Sequence, residues 1–274
     1  MPELPEVETM VRDIRPALIG RRFGRVSLSH DDILSGVSRR RLLRDLHGAT
    51  VRDVTRRAKH AVLDLGDERL VVQPGMTGSL IVYDRRLTPE ERRYAVLRAA
   101  LGDGRELVYR DIRRIGKLRL LDDRGWRRFS AAIGPEPLAD DFTPERLGEA
   151  LGSSRQAVKK VLMDQRHLAG VGNIYANEAL FAAGIDPSKP ARKLGPEDHR
   201  RLHAALRRIL RAAIDSSGTT VRDYRTGTGE PGSFQLELLV YGREGEPCRR
   251  CGTRLTGTHE IDARITVFCH RCQS

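Results

Sequence analysis

Apolar residues recur every three or four positions near the start of the chain. They fit one face of an amphipathic helix: Val7, Met10, Val11, Ile14 and Leu18. Pro5 suits the first turn of such a helix, because a backbone N–H is not needed there. Gly20 follows the last apolar position and is typical of a helix end. The pattern therefore predicts a first helix that ends before Gly20.

After this helix the pattern changes to short runs of β-branched and aliphatic residues, separated by Gly, Asp and Glu. The predicted strands are residues 23–28, 49–54, 61–65, 70–73, 94–101, 107–109 and 117–121. The basic stretch 39–44 is read as a solvated face, and Gly102-Asp103-Gly104 is typical of a hairpin turn. Short strands at this spacing predict an antiparallel sandwich or barrel over roughly residues 20–122.

The second half of the chain has helical signals. Residues 134–141 are rich in Pro, Asp and Glu and are interpreted as a linker. Thr143 followed by Pro144 predicts the start of one helix, and Ser154 is a candidate cap for the next.

A glycine-rich turn at residues 169–173 is expected to open a third helix, which Gly184 ends. Residues 196–214 are predicted to form a long, basic, amphipathic helix. Residues 216–233 lack any secondary-structure period, and a loop of this length is typical of a functional segment.

Cysteine is confined to the end of the chain, in two Cys-x-x-Cys pairs with residues 252–268 between them: Cys248, Cys251, Cys269 and Cys272. This spacing predicts a zinc ribbon in which four thiolates fill a tetrahedral site, so that the metal is structural. Buried or redox-active cysteines are the alternative. Arg264 lies on a predicted hairpin between the pairs, either as a probe of a groove or phosphate or as an ordinary surface arginine.

The chain is strongly basic, with 49 Lys and Arg against 37 Asp and Glu, a net charge of +12. This balance favours a polyanionic partner, of which nucleic acid is the first candidate, although charge also serves solubility. No apolar run approaches the ~20 residues of a membrane-spanning helix. The polar start is unlike a signal peptide, and a cytosolic protein is expected.

The N-terminus carries candidate covalent chemistry. Removal of Met1 would leave Pro2 with a secondary α-amino group, and such a group has a pKa of about 8. An amine of this kind attacks an electrophilic carbon to form an iminium. The positive end of the first helix disfavours an ammonium, and Glu3 is a candidate acid or base beside it. An ordinary capped helix is the alternative.

Two further stretches have two interpretations each. Residues 170–173 precede a helix and suit a phosphate cradle, which Lys159 would supplement, or a tight turn between helices. Met76 lies on a loop at 73–78, where it either packs in the core or fills the gap left by an extruded base. Lys59, considered alone, is an ordinary surface lysine.

Taken together, these stretches resemble the formamidopyrimidine-DNA glycosylase family over essentially the whole chain. The matching stretches are MPELPEVET at 1–9, Lys59, GMTG at 75–78, DIRRIG at 111–116, residues 162–187, residues 229–252 and the terminal FCHRCQ. The resemblance implies an α+β fold, with an N-terminal antiparallel β-sandwich and helix, then a helix-two-turn-helix domain and a C-terminal zinc finger. The implied domains are a catalytic sandwich (1–132), a DNA-binding domain with a lesion loop (133–235) and a zinc-finger hairpin (236–274).

The resemblance also implies roles. Pro2 would attack C1′ of the damaged nucleoside, Glu3 would assist proton transfer, and Glu6 would support the same site. Lys59 would act closest to this chemistry among the residues that hold phosphates, which are Lys59, Lys159, Asn173 and Arg264. The vacated stack would be filled by a wedge of Met76, Arg113 and Ile115. Residues 216–233 would close over the base, and the four cysteines would bind one Zn²⁺.

The implied function is base-excision repair of oxidised purines, namely 8-oxoguanine and formamidopyrimidines, in duplex DNA. Base release would be followed by β- and δ-elimination at the abasic site, through a Schiff base on Pro2. The expected partner is double-stranded DNA with oxidised bases or abasic sites, met by a monomer near the nucleoid in a bacterial cytoplasm. Two alternatives stay open: an endonuclease VIII-like glycosylase of oxidised pyrimidines, and a non-catalytic zinc-finger protein that binds damaged DNA. Leu4 favours the purine branch, because the pyrimidine enzymes typically have glycine there.

The chain departs from the family pattern in three places. Residues 73–74 are Gln-Pro where His-Leu is usual, so a phosphate-contacting imidazole is missing. Ile115 replaces the usual phenylalanine of the wedge, and Ser217 stands where a second glycine is common. These changes bear on lesion search and opposite-base preference more than on the covalent chemistry.

Overall fold

The computed structural model describes residues 2–152, 154–219 and 233–274. Within them the helices are α1 (Leu4–Leu18), α2 (Arg39–Leu46), α3 (Pro89–Arg93), α4 (Asp123–Ala131), α5 (Pro144–Leu151), α6 (Val158–Met163), α7 (Asn173–Ala183) and α8 (Pro196–Asp215). The strands are β1 (Phe23–Leu28), β2 (Asp53–Arg57), β3 (His60–Asp64), β4 (Glu68–Gln73), β5 (Gly78–Tyr83), β6 (Ala95–Leu101), β7 (Glu106–Asp111), β8 (Lys117–Asp122), β9 (Thr256–Thr258) and β10 (Thr266–Phe268).

The chain forms two compact units. The first comprises Met1–Ala131 and Ser216–Ser233, and the second comprises Ala132–Asp215 and Phe234–Ser274. Most of the loop predicted to close over a base, residues 220–232, lies outside the described residues, as does Met1. The division into three domains stays a prediction.

The first unit is built on two antiparallel sheets, with strand orders β1-β6-β7-β5 and β2-β3-β4-β8. Alternate residues of both sheets share one apolar core, to which Leu97 contributes from the first sheet and Leu70 from the second. The apolar face of α1 enters the same core through residues such as Met10 and Ile14, which are almost fully buried. The predicted α+β class, with an antiparallel β-sandwich and an N-terminal helix, is confirmed.

Two loops cross between these sheets, and we call them the crossover loops. Residues 74–77 lead from β4 in one sheet to β5 in the other, and residues 112–116 lead from β7 back to β8. The first residue of β5, Gly78, lies opposite the last residue of β7, Asp111. The last residue of β4 likewise lies opposite the first residue of β8. Because both ends of each loop are fixed in these ladders, the two loops lie side by side.

The second unit is helical, as predicted. The Thr143 hydroxyl accepts a hydrogen bond from Arg146 N and caps α5, and Gly184 ends α7 in the left-handed region at φ +69°. Helices α5 and α7 both pack against α8. In the part of the chain that the structure describes, no helix combines the length and apolar character needed to cross a membrane.

Ser154 was the wrong cap for the helix that follows it. Helix α6 begins only at Val158. The backbone of residues 154–157 instead pairs with residues 190–192, with Arg192 N donating to Ser154 O at 3.0 Å. Since this pairing holds the segment extended, the helix starts one turn later than its local sequence suggests.

Two other predicted segments are shifted or reassigned. The strand expected at 49–54 is β2 and starts at Asp53, because the backbone of residues 49–51 is bonded to residues 20–23. The basic stretch 39–44 lies in α2, whose Leu42 and Leu46 are buried while its arginines face outward.

Candidate active site and metal centre

The N-terminal carboxylates form a buried pair at the start of α1. Glu3 occupies the N-cap, and its backbone N–H donates to Glu6 Oε2 at 2.8 Å. The other oxygen, Glu6 Oε1, accepts from Thr219 N at 2.7 Å. Glu3 and Glu6 are only 3% and 2% exposed, and Pro2 is buried beside them. Glu6 therefore joins the N-terminus to the segment that begins at residue 216.

That segment approaches Glu6 closely. A Cβ added to Gly218, whose φ is +81°, would lie 3.1 Å from Glu6 Cγ, so glycine is favoured there by both backbone and space. Ser217 also has a positive φ, +57°, although it carries a side chain. The left-handed conformation is strained for such a residue, by roughly 1 kcal/mol. The departure at Ser217 thus falls at a position where glycine would fit without strain.

Lys59 lies in the turn between β2 and β3 and is 6% exposed. Both strands pack against α1. An ion pair strengthens this packing, since Arg56 Nε on β2 lies 3.0 Å from Glu8 Oε2 on α1. Lys59 is therefore a buried lysine in the turn between two strands that pack on α1, and not the surface lysine that its sequence context alone suggested.

His60, next to Lys59, has a strongly perturbed imidazole. Its ring packs edge-on against Phe129, with 5.1 Å between ring centroids. Burial lowers the pKa of His60 to about 4, and the nearby cations Arg119, Lys59 and Arg57 lower it further. His60 is therefore neutral at pH 7 and adds no positive charge beside Lys59.

The crossover loops expose large apolar side chains. Met76 on the first loop and Ile112 and Ile115 on the second are 42%, 47% and 43% exposed. Among the described residues only two other large apolar side chains, Ile19 and Leu236, are exposed, and neither lies on these loops. Arg113 Nη1 lies 3.3 Å from Met76 Sδ. The three predicted wedge residues are thus gathered on adjacent loops, together with Ile112, which the sequence reasoning missed.

The second unit brings Lys159 and Asn173 together below the predicted hairpin. Lys159 is fully buried, and its Nζ donates to Ile265 O at 3.0 Å and to Thr266 Oγ1 at 2.7 Å. Asn173 Nδ2 donates to the same carbonyl, Ile265 O, at 3.1 Å. Arg264 immediately precedes this anchored strand, and half of its side chain is exposed. Lys159 and Asn173 therefore support the segment that presents Arg264.

Two polar residues of α7, missed by the sequence reasoning, complete this attachment. Asn177 Oδ1 accepts from Val267 N at 2.8 Å. Glu178 accepts from the backbone N–H groups of residues 239–241 at 2.8 to 2.9 Å, and burial raises the pKa of its carboxyl. Their only sequence signal was a polar pair within a helix that is otherwise apolar on every side.

The turn before α7 is held by another side chain that the sequence did not single out. Gln165 Nε2 donates to Met163 O at 3.0 Å and to Val171 O at 2.8 Å, and its Oε1 accepts from Gly170 N. The amide thus satisfies backbone groups on both sides of the two-turn connection from α6 to α7. The glycine-rich turn at residues 170–173 is fixed at the start of α7 by these bonds.

The four cysteines meet in one cluster. Cys248, Cys251, Cys269 and Cys272 are unbridged, and their Sγ atoms all lie within 4.8 Å of one another. A tetrahedral zinc site with Zn–S bonds of about 2.3 Å needs sulfur atoms separated by about 3.8 Å. The cluster therefore fits one metal ion bound by four thiolates. It sits beside the short β9–β10 hairpin.

Comparison with known proteins agrees with this arrangement. Residues 1–118 match the model of the formamidopyrimidine-DNA glycosylase N-terminal domain, and residues 133–225 match that of the formamidopyrimidine-DNA glycosylase H2TH domain. Fold and matches together define the class, a helix-two-turn-helix DNA glycosylase with a four-cysteine finger.

The relatives narrow this class. The chain is 44% identical to the formamidopyrimidine-DNA glycosylase of Thermomicrobium roseum, over 100% of this chain and 99% of that protein. Its structure resembles the MutM (Fpg) protein of Thermus thermophilus, with a TM-score of 0.86 and 38% identity over 99% and 98% of the two chains. It also resembles Lactococcus lactis Fpg in a complex with abasic-site DNA, with a TM-score of 0.90 and 31% identity over 99% of each chain. The chain belongs to the formamidopyrimidine-DNA glycosylase family.

Proposed function

We propose that this protein removes oxidised purines from duplex DNA and then cleaves the strand at the abasic site. The single observation that carries the proposal is the buried N-terminal arrangement, in which Pro2 adjoins Glu3 at the start of α1 and Glu6 holds Glu3 N–H. Family membership agrees with it. A mutant of Lactococcus lactis Fpg has been crystallised with DNA containing Fapy-dG, and Lactococcus lactis Fpg with DNA containing an abasic site. Neither alternative, pyrimidine specificity or binding without catalysis, is favoured by a feature of the described residues.

The chemistry follows from a secondary amine at the terminus. After removal of Met1, the lone pair of Pro2 N attacks C1′, the glycosidic C–N bond breaks, and the base leaves with its bonding electrons. The leaving base needs one proton. When the lone pair of Pro2 N forms the iminium, the bond from C1′ to the ring oxygen breaks and that oxygen takes a second proton. Glu3 is the proposed proton carrier, since it can take up the proton that the Pro2 amine loses. The resulting iminium acidifies the C2′ hydrogens, so loss of the 3′ and then the 5′ phosphate follows from the same intermediate.

Glu6 is proposed to position the reacting groups and not to react. Both of its oxygens already accept backbone N–H groups, from Glu3 and from Thr219. A carboxylate held in this way keeps Glu3 in place while it fixes the start of the segment at 216–233. Lys59 is proposed to hold the phosphate nearest the chemistry, for which a lysine in a short turn between two paired strands is well suited.

The remaining contacts are assigned by their chemistry. Met76, Arg113 and Ile115 are proposed to fill the stack, since extruding a base costs a few kcal/mol that inserted side chains offset. Arg264 is proposed to bind a phosphate directly. Lys159 and Asn173 are proposed to help bind this phosphate by holding Ile265, the residue that follows Arg264. These assignments keep the proposed domains: a catalytic sandwich over 1–132, a DNA-binding domain over 133–235 and a finger over 236–274.

The metal is proposed to be a single Zn²⁺ with a structural function. Four thiolates at the observed spacing leave no open coordination position for a substrate. We also propose a monomer that works on DNA in a bacterial cytoplasm, near the nucleoid. Unbridged cysteines suit such a reducing compartment.

Borohydride trapping tests the proposed chemistry. Wild-type protein, with loss of Met1 verified by intact mass, should form a covalent adduct with a duplex containing 8-oxoguanine opposite cytosine. Pro2→Gly should bind the same duplex and form no adduct. A duplex with thymine glycol serves as the comparison substrate and should be processed more slowly. Absence of an adduct with correctly trimmed wild-type protein, or faster processing of thymine glycol, would overturn the proposal.

A further inference from the structure

The two crossover loops share a buried carboxylate that none of the proposed chemistry uses. Asp111, the last residue of β7, is 1% exposed. Its Oδ1 accepts from the Thr77 hydroxyl at 2.5 Å, and its Oδ2 accepts from the Tyr109 hydroxyl at 3.1 Å and from Gly116 N at 2.8 Å. One side chain thus holds groups from both loops and from the strand beneath them.

Thr77 extends this network to the wedge itself. Its hydroxyl donates to Asp111 and also accepts from Arg113 N at 3.0 Å. Thr77 directly follows Met76, and Gly116 directly follows Ile115. The bonds that begin at Asp111 therefore end next to each of the three wedge side chains.

The loops also touch through their backbones, which leaves no room for adjustment. A Cβ on Gly75 would lie 2.7 Å from Gly116 N, and a Cβ on Gly116 would lie 1.9 Å from Tyr109 Oη. Burial also raises the pKa of Tyr109, with the nearby Asp111 adding to this effect, so its hydroxyl stays protonated and remains a donor. A hydrogen-bonded, close-packed junction of this kind moves as one body.

We propose that Asp111, acting through Thr77, Tyr109 and Gly116, is the positioning residue that holds the two crossover loops in register for insertion into DNA. The inference rests on the proposed function, because it assigns to the exposed side chains the task of filling the stack. Asp111 touches neither base nor sugar. Its effect is confined to the step in which the base leaves the duplex, and the covalent chemistry at Pro2 proceeds without it.

This separation gives a test with two substrates. The first is a duplex with 8-oxoguanine opposite cytosine, from which a base must be extruded. The second is the same duplex with a natural abasic site, which has no base to extrude. Single-turnover strand cleavage is measured on both with wild type and with Thr77→Val, which keeps the shape of the side chain but removes the hydroxyl. Thr77→Ser, which keeps the hydroxyl, is the matched control.

Thr77→Val removes the donor to the buried Asp111 Oδ1 and the acceptor of the half-buried Arg113 N–H, and the lost hydrogen bonding corresponds to about a tenfold fall in rate. We expect that fall on 8-oxoguanine and less than about twofold change on the abasic site. Thr77→Ser should match wild type on both. Mismatched pairs on both sides of the lesion make extrusion easier and should restore most of the lost rate. Tyr109→Phe removes a different donor from Asp111 and should shift the ratio of the two rates in the same direction.

Equal losses on both substrates, or no rescue by the mismatches, would mean that the network only maintains the fold and would overturn the inference. Unchanged rates on 8-oxoguanine for both Thr77→Val and Tyr109→Phe would also overturn it. Wild-type protein that cleaves neither substrate would instead refute the proposed function, so the two failures are distinguishable.

Discussion

Protonation of His60 should make the first unit unusually sensitive to mild acid. The imidazole has a pKa lowered from 6.5 to about 4, chiefly by burial. Between these two values the unfolded chain binds a proton that the folded chain does not, so the free energy of unfolding falls as the pH decreases from about 6.5 to about 4. At pH 4.5 the loss from this one residue is about 2.5 kcal/mol, relative to pH 7.

The chain contains a convenient reporter and a matched control. Its single tryptophan, Trp126, lies in α4 with its ring 6.0 Å from that of Phe129, which packs on His60. Urea unfolding followed by tryptophan fluorescence at pH 7 and pH 4.5 therefore reports on this region. His60→Gln removes the titrating group, and His30→Gln is the matched substitution at an exposed position in the same unit.

The quantity to compare is the change in the free energy of unfolding between pH 7 and pH 4.5, because it does not depend on what each substitution does to stability at pH 7. Wild type and His30→Gln should lose about 2.5 kcal/mol more than His60→Gln on acidification. Carboxylates that titrate in the same range are present in all three proteins and cancel in the comparison. An identical acid-dependent loss in wild type and His60→Gln would refute the reasoning that burial keeps this imidazole neutral.

Two further predictions concern the second unit. Removal of the metal by a chelator should weaken binding to abasic-site DNA, because the metal-bound thiolate cluster beside the hairpin is lost. The intact mass of the protein chain, with Pro2 at its terminus, should be unaltered, and added Zn²⁺ should restore binding. Unchanged affinity after verified metal removal would contradict the structural assignment of the metal. Asn177→Leu should leave Val267 N–H unpaired at a loss of about 2 kcal/mol, seen as roughly 30-fold faster hydrogen exchange in β10 with the metal still bound. Unchanged protection of β10 from hydrogen exchange would show that the Asn177 side-chain amide is not needed to hold this strand.

Local signals in the sequence were enough for several elements. The proline, the apolar period and the final glycine defined α1 almost to the residue, since all three act within the helix itself. The left-handed Gly184 likewise marked the end of α7. In contrast, β5 is buried at five of its six positions and lacks the alternation that marks a half-buried strand. Helix α4 is nine residues long, and its two aromatic residues, Trp126 and Phe129, are too few to mark a helical period in the sequence.

The site was predictable in its residues but not in its connections. The hydrogen bond between Thr219 and Glu6 joins positions 213 apart in sequence, and no local pattern encodes it. Asp111 lay within a recognised motif, yet its hydrogen-bond partners are set by how the chain crosses between the two sheets. Lys159 was expected near a phosphate, and its complete burial follows from tertiary packing that a single sequence does not display.

The attachment of the finger to α7 has a consequence for its use as a separable part. Its apolar core contains only a few buried residues, and one of them, Phe181, comes from α7 and also carries the Arg250 guanidinium over its ring at 4.6 Å. The hairpin has three paired positions, and its second strand is held by Lys159 and Asn177. A finger that takes part of its core from α7, and its strand partners from α6 and α7, is not a separable module. Grafted alone onto another protein it would bring its metal ligands but leave behind the surface against which they fold.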